Sequence, residues 1–168
     1  MADISLSGFK SRVADVARPN RFLLNFSPPS GGDSETLSFL VKGTQLPGRT
    51  IGELILNWQG MQAKLAGDPT FEDFTVTFLN DYGMVARTTI ENWLRLIANQ
   101  NSNERASQNM YKTEAIVQQL GRTGEVLGSY RLIGFFPKSL DPIDLNMESS
   151  DTVSEFNVTF SIDYFEQI

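Results

Sequence analysis

The sequence predicts a mainly β domain (α+β in class): an antiparallel sandwich or barrel-like sheet with one long packed α-helix and a short helix at the N-terminus. Three observations carry this. Phe74-Thr75-Val76-Thr77-Phe78 and the segment Phe156 to Tyr164 alternate apolar and polar residues, the period of strands wet on one face. Residues 83–98 change to a helical period, with Val85, Ile90, Trp93, Leu94 and Ile97 on one face. The order is helix, several strands, one long helix, a hairpin and a long strand, which is that of a mainly antiparallel domain with a helix against its sheet. At 168 residues the chain is expected to form a single domain over 1–168 with a sizeable core.

The elements follow in order. Apolar residues at Leu6, Phe9, Val13 and Val16 predict a short amphipathic helix, stopped before Arg18-Pro19 because a residue preceding proline is pushed out of the helical region. Arg21 to Phe26 reads as a strand, and Pro28 to Ser34 as a loop. Thr36 to Val41 alternates again and reads as a second strand. Thr44 to Gly52, with Pro47-Gly48, reads as a turn or exposed loop. Leu54 to Trp58 and Met61 to Leu65 read as short strands flanking Gln59-Gly60, which reads as a hairpin turn. Asn80 or Asp81 is placed to cap the long helix, which ends in the polar stretch from Asn99. Thr113 to Leu120 and Val126 to Phe136 flank Gly121–Glu125, a glycine-bearing hairpin connection. A loop containing Asp141-Pro142 then leads to the closing strand.

Composition removes whole classes of chemistry. The chain has no histidine and no cysteine, so imidazole bases, His-ligated metals, thiol nucleophiles, zinc ribbons and disulfides are excluded. There are 20 acidic against 14 basic residues. The excess is concentrated after residue 125, where two basic residues face seven acidic ones. Such a segment repels a polyanion, so tight DNA binding is not expected. No stretch approaches about 18 consecutive apolar residues, so no membrane anchor is expected, and Asp3 stands where a signal peptide would carry a basic region.

Nothing specific points to catalysis, and no cofactor or metal is expected. Asp68, Glu72, Asp73 and Asp81 offer carboxylates for a glycosidase-like pair, yet they flank strand ends, where solvated acids are ordinary. Gly121-Arg122-Thr123-Gly124 lacks the spacing of a phosphate-binding loop and no helix pattern follows it. Asn157-Val158-Thr159 matches a glycosylation sequon but lies mid-strand. The two tryptophans and twelve phenylalanines come without a basic stripe, which leaves core or interface packing as their reading.

Several stretches resemble one family. Ala17-Arg18-Pro19-Asn20-Arg21-Phe22 resembles the "ARPN-aromatic" segment of the tail tube proteins of T-even-type contractile-tailed bacteriophages. Ala66-Gly67-Asp68-Pro69-Thr70-Phe71-Glu72-Asp73-Phe74-Thr75-Val76-Thr77-Phe78-Leu79-Asn80-Asp81 is similar to that family's "AGD-x-TF-[DE]-D-aromatic-TVT…ND" stretch, and a helix bearing Trp93 follows it. Thr44-Gln45-Leu46-Pro47-Gly48 matches a "T-x-LP" loop. Gly134-Phe135-Phe136-Pro137 and Phe156 to Tyr164 resemble the "G-x-[WF]-P" and "TF-x-VT…DY" ends. The matches keep family order from about residue 17 to the C-terminus. The first 16 residues match only loosely, and the Pro28–Glu35 stretch is longer than the family pattern.

The resemblance implies a non-enzymatic structural protein of the virion tail, assembled in the bacterial host cytoplasm. Its implied partner is first itself, as hexameric rings stacked into a tube with a continuous β-barrel lumen. The others are the tail sheath protein, baseplate tube-initiator and tail terminator proteins, a tape-measure protein in the lumen, and DNA only in transit. The inner tube of a non-phage contractile injection system or bacteriocin-like tail is the alternative. A tail glycosidase or a small-ligand-binding barrel would be readings from other classes. Physics gives the ring a motive: an open antiparallel sheet presents edges that invite uncontrolled pairing, and closure removes them. The polar sides of the alternating strands, Thr75, Thr77, Asn157, Thr159, Ser161 and Asp163, are expected to face the channel. Leu46, Pro47, Ile51, Leu54, Leu56, Trp58 and Met61, apolar in a segment that reads as exposed, are expected to stack rings, helped by the N-terminal segment. The competing reading is that they belong to the subunit's own core.

Overall fold

The structure, a computed structural model, describes residues 5–12, 16–99, 102 and 104–168. Its elements run α1 (Leu6–Arg12), β1 (Phe22–Phe26), α2 (Ser34–Leu40), β2 (Val41–Thr44), β3 (Arg49–Trp58), β4 (Met61–Phe71) and β5 (Phe74–Leu79). Then come α3 (Val85–Ile97), α4 (Gln108–Tyr111), β6 (Thr113–Leu120), β7 (Val126–Leu140), β8 (Glu155–Ser161) and β9 (Tyr164–Gln167). All strand pairings are antiparallel, in the order β1-β6-β7-β8-β5-β2 with β9 also on β7, while β3 and β4 form a separate two-stranded ribbon.

The long strand β7 joins two half-sheets. Its first part pairs with β6 and with β9; its last part, from Phe136, pairs with β8. The change falls at Gly134, whose φ of +70° lies in the left-handed region that glycine tolerates. The closing segment breaks at the same level. β8 ends at Ser161, the Asp163 N–H donates to the Ile133 carbonyl (2.9 Å), and β9 resumes at Tyr164. The two half-sheets therefore fold toward one another about a shared pair of strands. Leu24, Phe26, Val117, Leu132, Phe135, Val158 and Phe160 lie between them, buried.

Helix α3 closes the open side of this core with Ala86, Thr89, Ile90 and Trp93. Val85, expected on the buried face, is exposed, and Ala86 takes its place. Trp93 is fully buried, packs on Phe26, Phe135 and Phe160, and its indole N–H donates to the Tyr111 carbonyl (2.9 Å), so its polar end is satisfied. Phe135 and Phe160 stack face to face, 4.2 Å between centroids. The N-cap position of α3 is Met84, left-handed and without a side-chain cap hydrogen bond, and not Asn80 or Asp81; Asp81, three residues earlier in the preceding turn, accepts from Gly83 N–H (3.1 Å) and from the first helical amide, Val85 N–H (2.9 Å).

Several boundaries differ from the sequence reading. Thr36 to Leu40 is helix, and only Val41 onward is strand. Asp33 explains this: it is an N-cap, its side chain accepting from Glu35 N–H (3.1 Å) and from the Thr36 hydroxyl. Leu37 is buried while Phe39 points out, which alternation alone could not tell from a strand. The short helix Gln108–Tyr111 lies between the polar stretch from Asn99 and β6, where the sequence reading assigned no element. Strand β7 continues through Pro137 to Leu140, with a register shift between Pro137 and Ser139, a bulge of the kind that admits proline to a strand. Of the expected N-terminal helix, Leu6–Arg12 is helical and Val16 is not; Val13 lies outside the described residues.

Candidate assembly surfaces

The first surface is the outer face of the half-sheet β7(136–140)-β8-β5-β2. The register places Thr75 opposite Thr159 and Thr77 opposite Asn157, and directly paired residues share a face. Thr159 in turn pairs with Ser139 of β7. The opposite face holds Phe74, Val76, Phe78, Phe156, Val158 and Phe160, all buried. Thr75, Thr77, Asn157, Thr159 and Ser161 thus form one polar stripe, and the Thr77 hydroxyl donates to Asn157 Oδ1 (2.8 Å). Asp163 stands apart from them, at the break between β8 and β9, where its carboxylate binds Lys112 Nζ (2.8 Å). The charges bordering the stripe are paired as well, Lys138 with Asp73 (2.7 Å) and Lys42 with Glu155. Among the described residues, β2 pairs only with β5, and residues 136–140 of β7 pair only with β8. Both edges of this polar half-sheet carry unpaired backbone groups.

The second surface is the ribbon β3–β4. Gln59 (φ +46°) and Gly60 (φ +83°) form a turn with both central residues left-handed, the type that matches strand twist. Register pairs Trp58 with Met61, Leu56 with Ala63 and Leu54 with Leu65. One face of the ribbon is therefore Leu54, Leu56, Trp58, Met61, Ala63 and Leu65, apolar throughout. The other carries Glu53, Ile55, Asn57, Gln62 and Lys64, with Lys64 paired to Glu53 (2.9 Å). At the base a register shift sets Gly52 against Gly67-Asp68. A Cβ on Gly67 would come within 3.0 Å of the Gly52 backbone, so the two strands cross there in a space only glycine leaves open. Nearly every residue of the ribbon is exposed, Trp58 at 72% and Met61 at 73%. These side chains are not part of the molecule's own core.

Of the remaining apolar residues expected on this surface, Ile51 lies on the base side of the shift, exposed. Leu46 and Pro47 lie in the β2–β3 connection, and Leu46 borders a cleft with Pro19, Arg21 and Phe22 beside the start of β1. Leu65 completes the apolar face although composition did not single it out; only its register with Leu54 does. Of the acids Asp68, Glu72, Asp73 and Asp81, Asp68 is at the ribbon's bulge, Asp73 holds Lys138, and Asp81 accepts from the first amide of α3. Among the described residues, no helix is long and apolar enough to cross a membrane.

Comparison with known proteins identifies the family of the chain. A family model described as phage tail tube protein matches residues 17–167. The tail tube protein gp19 of Enterobacteria phage T4 is 30% identical over 154 residues, covering 90% of this chain and 92% of that protein. The tail tube protein of Serratia phage KSP90 is 28% identical over 167 residues, covering 96% and 93%. Among solved structures, the tube-terminating cap of the anti-feeding prophage superposes with a TM-score of 0.70 at 17% identity, covering 92% of this chain and 91% of the other. The sheath–tube complex of an extracellular contractile injection system, PVC, gives 0.64 at 16% identity, covering 99% of each. At such identities the structural likeness is one of fold, whereas the family match spans nearly the whole sequence. This chain belongs to the phage tail tube protein family.

Proposed function

We propose that the protein is the structural subunit of the inner tube of a contractile phage tail, forming hexameric rings that stack into a hollow conduit for DNA. The observation that carries this is the half-sheet with a polar outer face, an apolar inner face and two unpaired edges. Pairing β2 of one copy with residues 136–140 of the next satisfies both edges at once, and repeating the step around a ring closes a barrel without free edges. The stripe Thr75, Thr77, Asn157, Thr159 and Ser161 then lines the bore. Because the charges beside it are paired, the wall offers no array of free cations to phosphates, whose capture would hold DNA in place.

The ribbon supplies the second set of contacts, between stacked rings. An isolated two-stranded hairpin is marginal in water, and one with a continuous apolar face is an unfinished interface. Sheath, tube-initiator, terminator and tape-measure proteins are the further partners of such a tube, the particle is the virion tail, and no catalytic step is assigned to the chain. Relatives from phages favour a phage tail over a free injection particle. Negative-stain electron microscopy of the purified protein tests the reading: rings or hollow filaments are expected, and a uniformly monomeric protein at all concentrations and salts refutes it. Thr159→Lys with Ser161→Lys is expected to leave tubes intact and to slow DNA ejection. Normal ejection from such particles would remove these positions from the bore, or charge from the mechanism.

A further inference from the structure

Two apolar surfaces of this chain stand open, and their charges are complementary. The first is α1. Leu6, Phe9 and Lys10, at spacings of three and four residues, share one face of the helix. All three are exposed, Leu6 at 69% and Phe9 at 61%. No described residue of α1 belongs to the core. The helix sequence has two cations, Lys10 and Arg12, and no acid. Seven residues are too few to hold a helix in water unaided, so α1 is an element in want of a surface. It also precedes the family match, which begins at residue 17, so the common fold of the family does not account for it.

The second is a groove of about 540 Å³ between the outer side of β1 and α2. Register puts Asn25 opposite Ile116, and Leu23 shares their face, while Leu24 and Phe26 turn inward to the core. Helix α2 supplies the other wall, with Phe39 exposed at 75%. The Ser38 hydroxyl donates to the Leu24 carbonyl (2.7 Å) and so holds α2 against the strand. Two exposed acids, Glu35 and Glu114, complete the lining, and Glu114 reaches Arg131 only at 4.0 Å. A cavity of about 150 Å³ holds a benzene molecule, so the groove has room for a leucine and a phenylalanine side chain together. The chain's own α1 is placed elsewhere. Val16, four residues after Arg12, borders a different cleft with Leu120 and Leu127, and no described residue of α1 lines the groove.

We propose that α1 of each copy docks in the β1–α2 groove of a neighbouring copy, Leu6 and Phe9 lying on Leu23, Ile116 and Phe39 while Lys10 faces Glu35 and Glu114. This inference rests on the tube reading for the presence of neighbours. It adds an exchanged arm, a contact separate from the half-sheet edges and from the ribbon. One arm and one groove per chain make the contact heterologous, so it repeats from copy to copy. The opposed charges fix which way the helix lies in the groove.

Bridging between copies tests it. The chain has no cysteine, so Ser7→Cys and Ser27→Cys each introduce one thiol, the first on α1 and the second in the groove. Treated with a short bismaleimide under assembly conditions, a mixture of the two variants should give a covalent dimer that neither gives alone. The chain carrying both changes should give a ladder of multimers. A doubly changed chain bridged only within itself returns α1 to its own groove, and a mixture without bridges removes α1 from the groove; either overturns the proposal. Leu6→Ser with Phe9→Ser alters exposed residues, so it is expected to melt within a few degrees of the parent. It should nevertheless raise the concentration needed for tubes by about tenfold or more. Lys10→Glu and Glu35→Lys should each raise it at low salt, and the two together should recover most of the loss. Tubes from the serine variant at the parent's concentration overturn the contact and leave the tube reading standing. A parent protein that never assembles defeats the tube reading and this proposal with it.

Discussion

Replacing Trp58 by serine separates the assembly role of the ribbon from its role in the fold. A buried tryptophan covers roughly 150–250 Å², and Trp58 keeps 72% of its surface in solvent. Burying that remainder against another subunit at about 25 cal/mol per Å² is worth about 3–4 kcal/mol. Ordering side chains at an interface consumes part of this, leaving about 2–3 kcal/mol per contact. Trp58→Ser is therefore expected to weaken each ring contact by roughly 30-fold to 150-fold and, repeated around a ring, to abolish tubes at concentrations where the parent forms them. The fold should not notice. An exposed substitution away from caps and core changes stability by about 0.5 kcal/mol or less, about 2 °C in Tm for a chain of this size. Circular-dichroism melting and negative-stain microscopy on one preparation read both quantities. Tubes of parental length, or a fall in Tm of about 8 °C or more, would refute the reasoning, the first by dismissing the interface and the second by returning Trp58 to the subunit's own core.

Three further outcomes follow from the interior and the caps. Phe135→Ala removes a ring stacked on Phe160 at 4.2 Å and surrounded by Phe26, Phe74 and Trp93; denaturant titration is expected to show a loss of about 3–5 kcal/mol. Gly134→Ala puts a Cβ on a backbone with φ +70°, against the Asp163 carboxylate that binds Lys112, and is expected to cost at least about 1–2 kcal/mol. Adding Asp163→Ala should recover part of that loss, a non-additivity that a double-mutant cycle detects. Asp33 should impose a pH dependence on α2. The Thr36 hydroxyl and the Glu35 amide hold its carboxyl below the usual aspartate value, so its contribution is complete above that value and is lost as pH falls through the lowered one. Asp33→Asn should flatten this acid limb in a thermal-stability profile against pH.

Periodicity was sufficient for the elements whose pattern admits one reading. Phe74 to Phe78 and Phe156 to Ser161 alternate with branched and aromatic residues and are strands; 85–97 repeats at helical spacing and is a helix; Gln59-Gly60 and Gly121–Glu125 sit at turns between paired strands. It failed at Thr36 to Leu40, where buried Leu37 and half-buried Leu40 fit a helical turn as well as a strand and the Asp33 cap decided the matter. It also failed at Asp163, because one continuous alternation conceals the break that lets β8 and β9 follow the bend of β7 at Gly134. For the assembly surfaces, sequence alone determined that a polar stripe and an apolar segment exist, since each is a property of residues close together in the chain. Only the tertiary structure decided that Thr75 and Thr159 share a face, that the apolar segment projects as a free ribbon instead of filling the core, and that β2 and the end of β7 are left as open edges. Those are matters of register and of which element occupies which space, and they depend on contacts between residues far apart in sequence, where no local pattern reaches.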